Sequence, residues 1–178
     1  NNQGTQINGP TPAAGMVAGA LSFDGMNDYM EVKNDPEINL GTGDFSIDAW
    51  VKTTQSSGIV SLVDKRSYNP VIGYTLFLYN GKLGVQIADL SGHSNWIAPA
   101  SSPNVANVQW HFIAVTVDRN SLTGGNLYVD SQVYPFNPSA RQGNIDNNDD
   151  LWVARHHPNI FANHSTVYRL VIDELEIF

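Results

Sequence analysis

Hydrophobic residues occur along this chain in short runs that are separated by turn residues, a pattern typical of β-strands. No apolar period of 3.6 residues persists over ten positions, so little helix is expected. The spacing of the runs predicts an all-β sandwich. The runs are 20–23, 29–32, 45–52, 59–63, 74–79, 83–88, 112–118, 126–130, 151–154 and 167–178.

The side-chain direction within some runs can be predicted from the two-residue repeat of a strand. In the run 45–52, Phe45, Ile47, Ala49 and Val51 share one face, which is expected to lie in the core. Between the runs 74–79 and 83–88, the pair Asn80-Gly81 predicts a two-residue hairpin turn, because these residues tolerate positive φ angles.

Several aromatic residues fall on the opposite face from the predicted core. Trp50, Tyr128 and Trp152 alternate with apolar neighbours in their runs. Two interpretations remain open for them. They fill a second apolar layer beneath long loops, or they form a platform on which sugar rings stack.

The last run places a carboxylate among apolar residues. By simple alternation Asp173 shares a face with Val171, Leu175 and Ile177. A buried carboxylate must be paired, hydrogen-bonded or bound to a metal ion. The candidate partners are calcium, backbone amides, Arg155 or Arg169.

Composition excludes several classes of function. The 178-residue chain has a formal net charge of −8 and only nine Lys and Arg residues, so neither nucleic acid nor an anionic membrane is an expected partner. It contains no Cys, which leaves oxygen and imidazole as metal ligands. No apolar stretch is long enough to insert in a membrane. We expect one domain over residues 1–178, with an extended lead-in over 1–19, as a module of a larger secreted or cell-surface protein.

Five blocks in order carry a resemblance to a known family. The sequence resembles the laminin-G-like, concanavalin A-like jelly-roll domains of bacterial exported proteins. The blocks are Gly19-Ala20-Leu21-Ser22-Phe23-Asp24-Gly25 with Asp28-Tyr29-Met30-Glu31-Val32, Gly43–Val51, Gln109–Asp118, Leu127–Asp130 and Ile172–Phe178.

The resemblance implies a two-sheet antiparallel jelly-roll sandwich of the concanavalin A-like lectin and glucanase type. It also implies that the first and last core strands are neighbours, which would bring Asp24 close to Asp173. Such domains often hold one structural calcium ion at that position. The expected ligands are Asp24, Gly25, Asn27 and Asp173, since calcium accepts carboxylate and carbonyl oxygens together.

Two other groups of residues are candidates for chemistry. Asp146, Asn148 and Asp150 match the start of an EF-hand loop, but Leu151 and His157 stand where Gly and Glu are required, so a solvated loop is expected. Loops at the ends of sandwiches carry recognition, and this points to a ligand pocket. The candidate ligand-binding residues are Tyr68, His93, Trp96, His156, His157 and Phe161; the alternative is that they are ordinary loop residues.

The sequence gives little support for catalysis, because no strand carries the three alternating acids of jelly-roll glucanases. We therefore expect a non-catalytic recognition module that is stabilised by structural calcium and binds a glycan or glycoconjugate. The alternatives are a protein-interaction or spacer module that contacts other protein domains, and a glycan-cleaving enzyme.

Overall fold

The computed structural model describes residues 3–159 and 167–178 and consists of two antiparallel sheets that pack face to face. Each sheet has seven strands, and the described residues contain one short 3₁₀ helix, Pro36–Ile38. The prediction of an all-β, two-sheet sandwich is therefore confirmed. Within the described residues, no helix is long and apolar enough to span a membrane.

One sheet, which we call the front sheet, carries the site described below. In spatial order its strands are β1 (Thr5–Ile7), β4 (Tyr29–Val32), β13 (Leu151–Val153), β6 (Ile59–Arg66), β7 (Gly73–Tyr79), β8 (Lys82–Asp89) and β9 (Gly92–Ile97).

The other sheet, which we call the back sheet, contains the first and last core strands, which the family resemblance predicts to be neighbours. In spatial order its strands are β12 (Gln132–Phe136), β11 (Gly125–Val129), β10 (His111–Val117), β5 (Phe45–Lys52), β14 (Arg169–Ile177), β3 (Gly19–Asp24) and β2 (Thr11–Ala14). The first and last core strands, β3 and β14, are hydrogen-bonded neighbours, as expected.

The core lies between the sheets and follows the predicted alternation. In β5, Phe45, Ile47, Ala49 and Val51 are buried, while the residues between them are half-buried on the outer face. The Asn80-Gly81 turn is also confirmed, because Tyr79 pairs with Lys82 and both turn residues have positive φ.

The lead-in has more structure than expected. Residues 3–19 include β1, which pairs with β4, and β2, which pairs with β3. Both are edge strands, so the lead-in closes one side of each sheet.

A β-bulge in β14 changes the predicted facing of Asp173. Asp173 pairs with the outward Trp50, whereas Ile177 pairs with the buried Ile47, and the register shifts between them. Glu174 has a φ of 49° within the bulge. The prediction that Asp173 shares a face with Leu175 and Ile177 is therefore wrong, because the bulge inserts a residue and reverses the alternation.

Candidate functional site

A row of side chains crosses the outer face of the front sheet. Cross-strand pairing aligns Trp152 with Asp64, Asp64 with Thr75, Thr75 with Gln86, and Gln86 with Asn95. Because directly paired residues point to the same face, these five side chains form one line across five strands. We call this line the polar row.

Hydrogen bonds connect most of the polar row. The Arg66 guanidinium donates to the buried Asp64 carboxylate in two-pronged geometry, with Nε–Oδ1 at 2.7 Å and Nη2–Oδ2 at 2.5 Å. Arg66 Nη1 also donates to Gln86 Oε1 at 2.7 Å, and Gln86 Nε2 donates to Asn95 Oδ1 at 2.6 Å. A bidentate pair fixes side-chain orientation. The row is thus held in place from Asp64 to Asn95.

An apolar strip runs beside the polar row. Ser61 pairs with Phe77, Phe77 with Gly84, and Gly84 with Ile97. A Cβ atom at Gly84 would lie 2.7 Å from Phe77 Cζ, so the Phe77 ring occupies the space that a side chain would fill. Tyr79 stands next along β7 and is 45% exposed.

The polar row and the apolar strip border a groove of about 420 Å³. Buried Ser61, Thr75 and Phe77 form its floor, and more exposed residues form its rim. A ligand in it meets hydrogen-bonding groups on one side and apolar carbon on the other. The residues that define this front groove are Ile59, Ser61, Arg66, Thr75, Phe77, Tyr79, Gln86, His93, Asn95 and Ile97.

Two of the predicted ligand-binding residues, His93 and Trp96, lie on strand β9 rather than on a loop. His93 is exposed and lines the front groove. Trp96 points to the opposite face, where its ring stacks on Phe136 with centroids 4.8 Å apart. Placing Trp96 in the pocket was therefore wrong, since β9 alternates and Trp96 packs against the core.

Two further predicted residues, Tyr68 and His157, lie together beside the other end of the polar row. Their rings stack at a centroid distance of 6.1 Å, and Trp152 meets the His157 ring edge-on at 5.2 Å. The His157 amide donates to Asp64 Oδ2 at 3.1 Å. Burial lowers the pKa of His157, although nearby Asp149 and Asp64 oppose this shift. His157 is mainly a buried support, and Tyr68, at 49% exposure, is the accessible ring.

His156 does not reach a surface pocket. It is completely buried, its Nδ1 lies 2.9 Å from the His157 carbonyl oxygen, and its ring is 5.8 Å from the Tyr168 ring. His156 was predicted among the candidate ligand-binding residues of a loop pocket, and its complete burial corrects that placement. Phe161 lies outside the described residues.

The predicted calcium ligands are not brought together. Asp24 pairs with Arg169, at the opposite end of the β3–β14 ladder from Asp173, which places their Cα atoms about 13 Å apart along the strands. Asp24 Oδ1 accepts from the amides of Met26, Asn27 and Asp28, at 2.8, 3.3 and 3.5 Å. These hydrogen bonds, that of Met26 first, lower the pKa of Asp24. Asp24 and Asn27 thus stabilise the turn at Gly25, which has a φ of 76°.

Asp173 has different partners from those of Asp24. Its Oδ2 accepts from the amides of Met16 at 2.7 Å and Val17 at 3.0 Å, which is one of the alternatives that the sequence left open. Its Oδ1 is buried and has no hydrogen-bond partner among the described residues. Those residues contain no group of three or more His, Cys, Asp or Glu side chains that is arranged to hold a metal ion.

Sequence reasoning missed most of the front groove. Its strongest signal was Asp64-Lys65-Arg66, three charged residues that directly follow an apolar run. A second signal was the alternation of Thr75, Phe77 and Tyr79 with core residues in β7. Neither signal identifies a site until the neighbouring strands are known.

The fold defines the chain as a jelly-roll sandwich of the lectin and glucanase class. Residues 24–178 match the concanavalin A-like lectin/glucanases superfamily, in its laminin-G-type family. The chain belongs to this family, which confirms the resemblance inferred from the sequence blocks. None of the curated proteins matches the chain.

Solved structures with the same fold include toxin binding domains. The binding domain of Paraclostridial mosquitocidal protein 1 has a TM-score of 0.81 and 19% identity, and the alignment covers 100% of this chain and 44% of that one. The binding domain of botulinum neurotoxin serotype G has a TM-score of 0.75 and 15% identity, with coverage of 99% and 43%. The serotype D ligand binding domain, solved in complex with N-acetylneuraminic acid, has a TM-score of 0.72 and 14% identity, with coverage of 100% and 42%. The chain therefore spans less than half the length of these structures.

Proposed function

We propose that this chain is a carbohydrate-binding module and that the front groove is its binding site. The observation that carries the proposal is the position of the polar row directly beside the apolar strip of Phe77, Tyr79 and Ile97. Sugars have the same two-sided character, since hydroxyl groups project around a ring whose faces carry C–H groups. Aromatic rings receive the C–H faces, and a few fixed polar groups select the hydroxyls.

The pre-organised hydrogen bonds support this assignment. Asn95 Oδ1 is occupied by Gln86, so the Asn95 amide nitrogen remains as a donor at the exposed rim. His93 stands beside it on the same face of β9. A ligand therefore meets an Asn95 donor whose orientation is already set, which reduces the entropy lost on binding.

The proposed module binds without catalysis. Glycoside hydrolysis requires two carboxylic acids on either side of the scissile bond. The residues that define the front groove include neither Asp nor Glu. Asp64, the nearest acid of the row, is held by Arg66 beneath the surface.

The structural neighbours support glycan binding in general, but not a particular glycan or site. The serotype D domain was solved with N-acetylneuraminic acid, and a related DC domain with SialylT. Since this chain aligns with less than half of each, those ligands do not locate a site within the shared part. We propose an exported, cell-surface or secreted context for the module on the same general basis.

The first experiment is a glycan-array screen of the purified chain, run once with calcium and once with chelator. Binding to a few related glycans is expected, and Asn95→Ala and Tyr79→Ala should each weaken it at least tenfold, because they remove a rim donor and a stacking ring. The matched control is Asn126→Ala, which changes the same residue type on the outer face of the back sheet.

Two results would contradict this proposal. Equal loss of binding in Asn126→Ala would move the site to the back sheet. If folded wild-type protein binds no glycan, the alternative of a module that contacts other protein domains takes its place.

We propose that the chain also binds a structural calcium ion, separately from the glycan. Of the four ligands expected from the sequence, we retain only Asp173. The support is the buried Asp173 Oδ1 atom, which has no hydrogen-bond partner among the described residues. The other oxygen of the same carboxylate, Oδ2, lies beside Gly15 at the β2–β3 turn, where a Cβ added to Gly15 would collide with it and would be 3.2 Å from the Ala18 carbonyl oxygen. Asp24 is left out, because backbone amides already use its oxygen. A calcium ion bound there would be coordinated by the Asp173 carboxylate and by carbonyl oxygens of the β2–β3 turn.

Thermal unfolding with calcium or chelator tests this calcium site. At a concentration one hundred times the dissociation constant, the ion should raise Tm by roughly 5–10 °C. Asp173→Asn should abolish the increase, whereas Asp24→Asn should lower Tm equally with and without calcium. No calcium effect on wild-type Tm would eliminate the proposal.

A further inference from the structure

Strand β9 forms one edge of the front sheet and presents free main-chain groups. The Ala98 amide donates to the Leu83 carbonyl at 2.8 Å. Because main-chain hydrogen bonds recur at every second residue of an antiparallel strand, Trp96, Ser94 and Gly92 also bond to β8. The amides and carbonyls of His93, Asn95 and Ile97 therefore point away from β8. Among the described strands β9 pairs with β8 alone, and these three residues are exposed, so this edge is open in the part of the chain that the structure describes.

The β9 edge lacks the features that normally prevent strand pairing. Edge strands are usually protected by proline, by charged residues or by short length. The other edges have such protection: β2 contains Pro12, β12 contains Pro135, and β1 has only three residues. Strand β9, Gly-His-Ser-Asn-Trp-Ile, has six residues with neither proline nor formal charge.

The absence of charge extends well beyond the strand. Residues 90–117 contain no Asp, Glu, Lys or Arg, in a chain whose net charge is −8. Two copies of such a chain repel each other over most of their surfaces. At the β9 edge, the contacting segments themselves carry no charge, so a second copy can approach there.

We infer that two copies of this chain pair through their β9 edges and form one continuous antiparallel sheet. The two-fold axis passes between the two Asn95 residues, so His93 of each copy lies opposite Ile97 of the other. Since paired residues with outward amides exchange two bonds each, about six main-chain hydrogen bonds form across the seam. The strand itself carries no charged residue, and the charged residue that bonds to it is Arg141, which is paired with Asp89 and donates to Ser94 on the inner side of β9. Two copies of the same strand can pair in this register because the outward amides and carbonyls of one copy face those of the other.

This association differs from glycan recognition and does not depend on it. The contact is small, so a weak, concentration-dependent dimer is expected. Sedimentation velocity from about 1 µM to about 500 µM, without any glycan, tests it over the range where weak contacts of this size dissociate. Monomer is expected at the lowest concentration and increasing dimer above it.

Edge variants identify the surface. Asn95→Pro removes an amide that points away from β8 and bonds to no described residue, and it should weaken association at least tenfold. Asn95→Lys places two cations across the axis and should have the same effect. The matched control, Val133→Lys, puts the same charge on the β12 edge, where Val133 is 50% exposed, and should leave association unchanged.

Amide hydrogen exchange provides an independent measurement on the unmodified chain. The amides of His93, Asn95 and Ile97 should exchange rapidly at low concentration and become protected as concentration rises. The Ser94 and Trp96 amides, which bond to β8, should be protected throughout. A monomer at every concentration, or a dimer without protection at these three amides, overturns the inference.

Discussion

Gly84 shows how a single residue shapes the groove. A Cβ atom there would lie 2.7 Å from Phe77 Cζ and 3.1 Å from the Trp96 carbonyl oxygen. Gly84→Ala should therefore displace the Phe77 ring from the groove floor and destabilise the fold by about 1–3 kcal/mol, the usual range for overpacking. Urea unfolding measures this change. Gly19→Ala is the control, because no atom lies within 4 Å of its added Cβ. An equal loss of stability in Gly19→Ala would show that the effect at position 84 does not come from crowding against Phe77.

Lys65 makes the stability depend on pH. It is 1% exposed, and Nζ donates to Asn147 O at 3.0 Å and Oδ1 at 2.9 Å. Burial lowers its pKa from 10.5 to about 8. Between these two values the unfolded chain binds the proton more tightly than the folded chain, so the stability contribution of Lys65 rises with pH.

The pH effect is measured as a difference between two proteins. The free energy of unfolding of wild type minus that of Lys65→Met should increase from pH 8 to pH 10.5 and stay flat from pH 6 to pH 8. Use of the difference removes the titration of other groups. A difference that falls with pH would contradict the assigned shift.

At the scale of elements, the sequence predicted the strands that pack apolar side chains against the core and missed the edge strands β1, β2, β9 and β12. Strand β5 alternates perfectly between buried and half-buried positions and was predicted, including its facing. Strand β9 has no fully buried residue, and β1 and β12 are similarly exposed. The alternation signal depends on a buried face, so polar edge strands resemble loops. For this reason His93 and Trp96 were assigned to a loop.

The bulge in β14 is an element-scale feature with a measurable energy. Glu174 adopts a left-handed φ of 49°, which is unfavourable for any residue with a Cβ atom. Glu174→Gly should raise stability by about 0.5–1 kcal/mol, after the greater chain entropy of glycine is subtracted. Glu176→Gly, the same change two residues later in ordinary strand geometry, should lower stability. Comparison of both variants by thermal unfolding checks the sign, and destabilisation by both would refute the claim of local strain.

The pairing register explains why the site itself was not predicted. Asp64, Thr75, Gln86 and Asn95 lie on four successive strands, β6 to β9, and they align only through the register of each hairpin. Trp152 joins the row only because β13 pairs with β6, which precedes it by about 90 residues in the chain. Local pattern gives the facing of each strand but not its neighbours. The shared face of Asp64, Gln86 and Asn95 is therefore visible only in the assembled sheet.

For the whole molecule, family resemblance was sufficient for the fold and insufficient for the function. The five sequence blocks fall on β3, β4, β5, β10, β11 and β14, most of them in the back sheet, and the fold is confirmed over the described residues. Function resides in sites that differ among proteins of one fold. The expected pairing of Asp24 with Asp173 came from the fold and is contradicted by the register.

The net charge predicts how self-association responds to salt. Two chains of charge −8 repel each other, while the β9 seam carries no charge. Screening reduces the repulsion, so raising NaCl from about 20 mM to about 300 mM should strengthen the dimer severalfold. Sedimentation at fixed protein concentration measures this, with Asn95→Pro as the control, whose association should remain weaker than that of wild type at each salt concentration. Weaker association at high salt would indicate attractive ion pairs at a different interface.

His93, Asn95 and Ile97 contribute to both proposed contacts. Their side chains line the front groove, and their main-chain groups form the free edge of β9. A two-fold axis perpendicular to the sheet places both grooves on the same side of the dimer. On a surface that displays many copies of one glycan, the second groove binds at the high effective concentration created by the first. Avidity would then make attachment respond steeply to glycan density, even if each groove alone binds weakly.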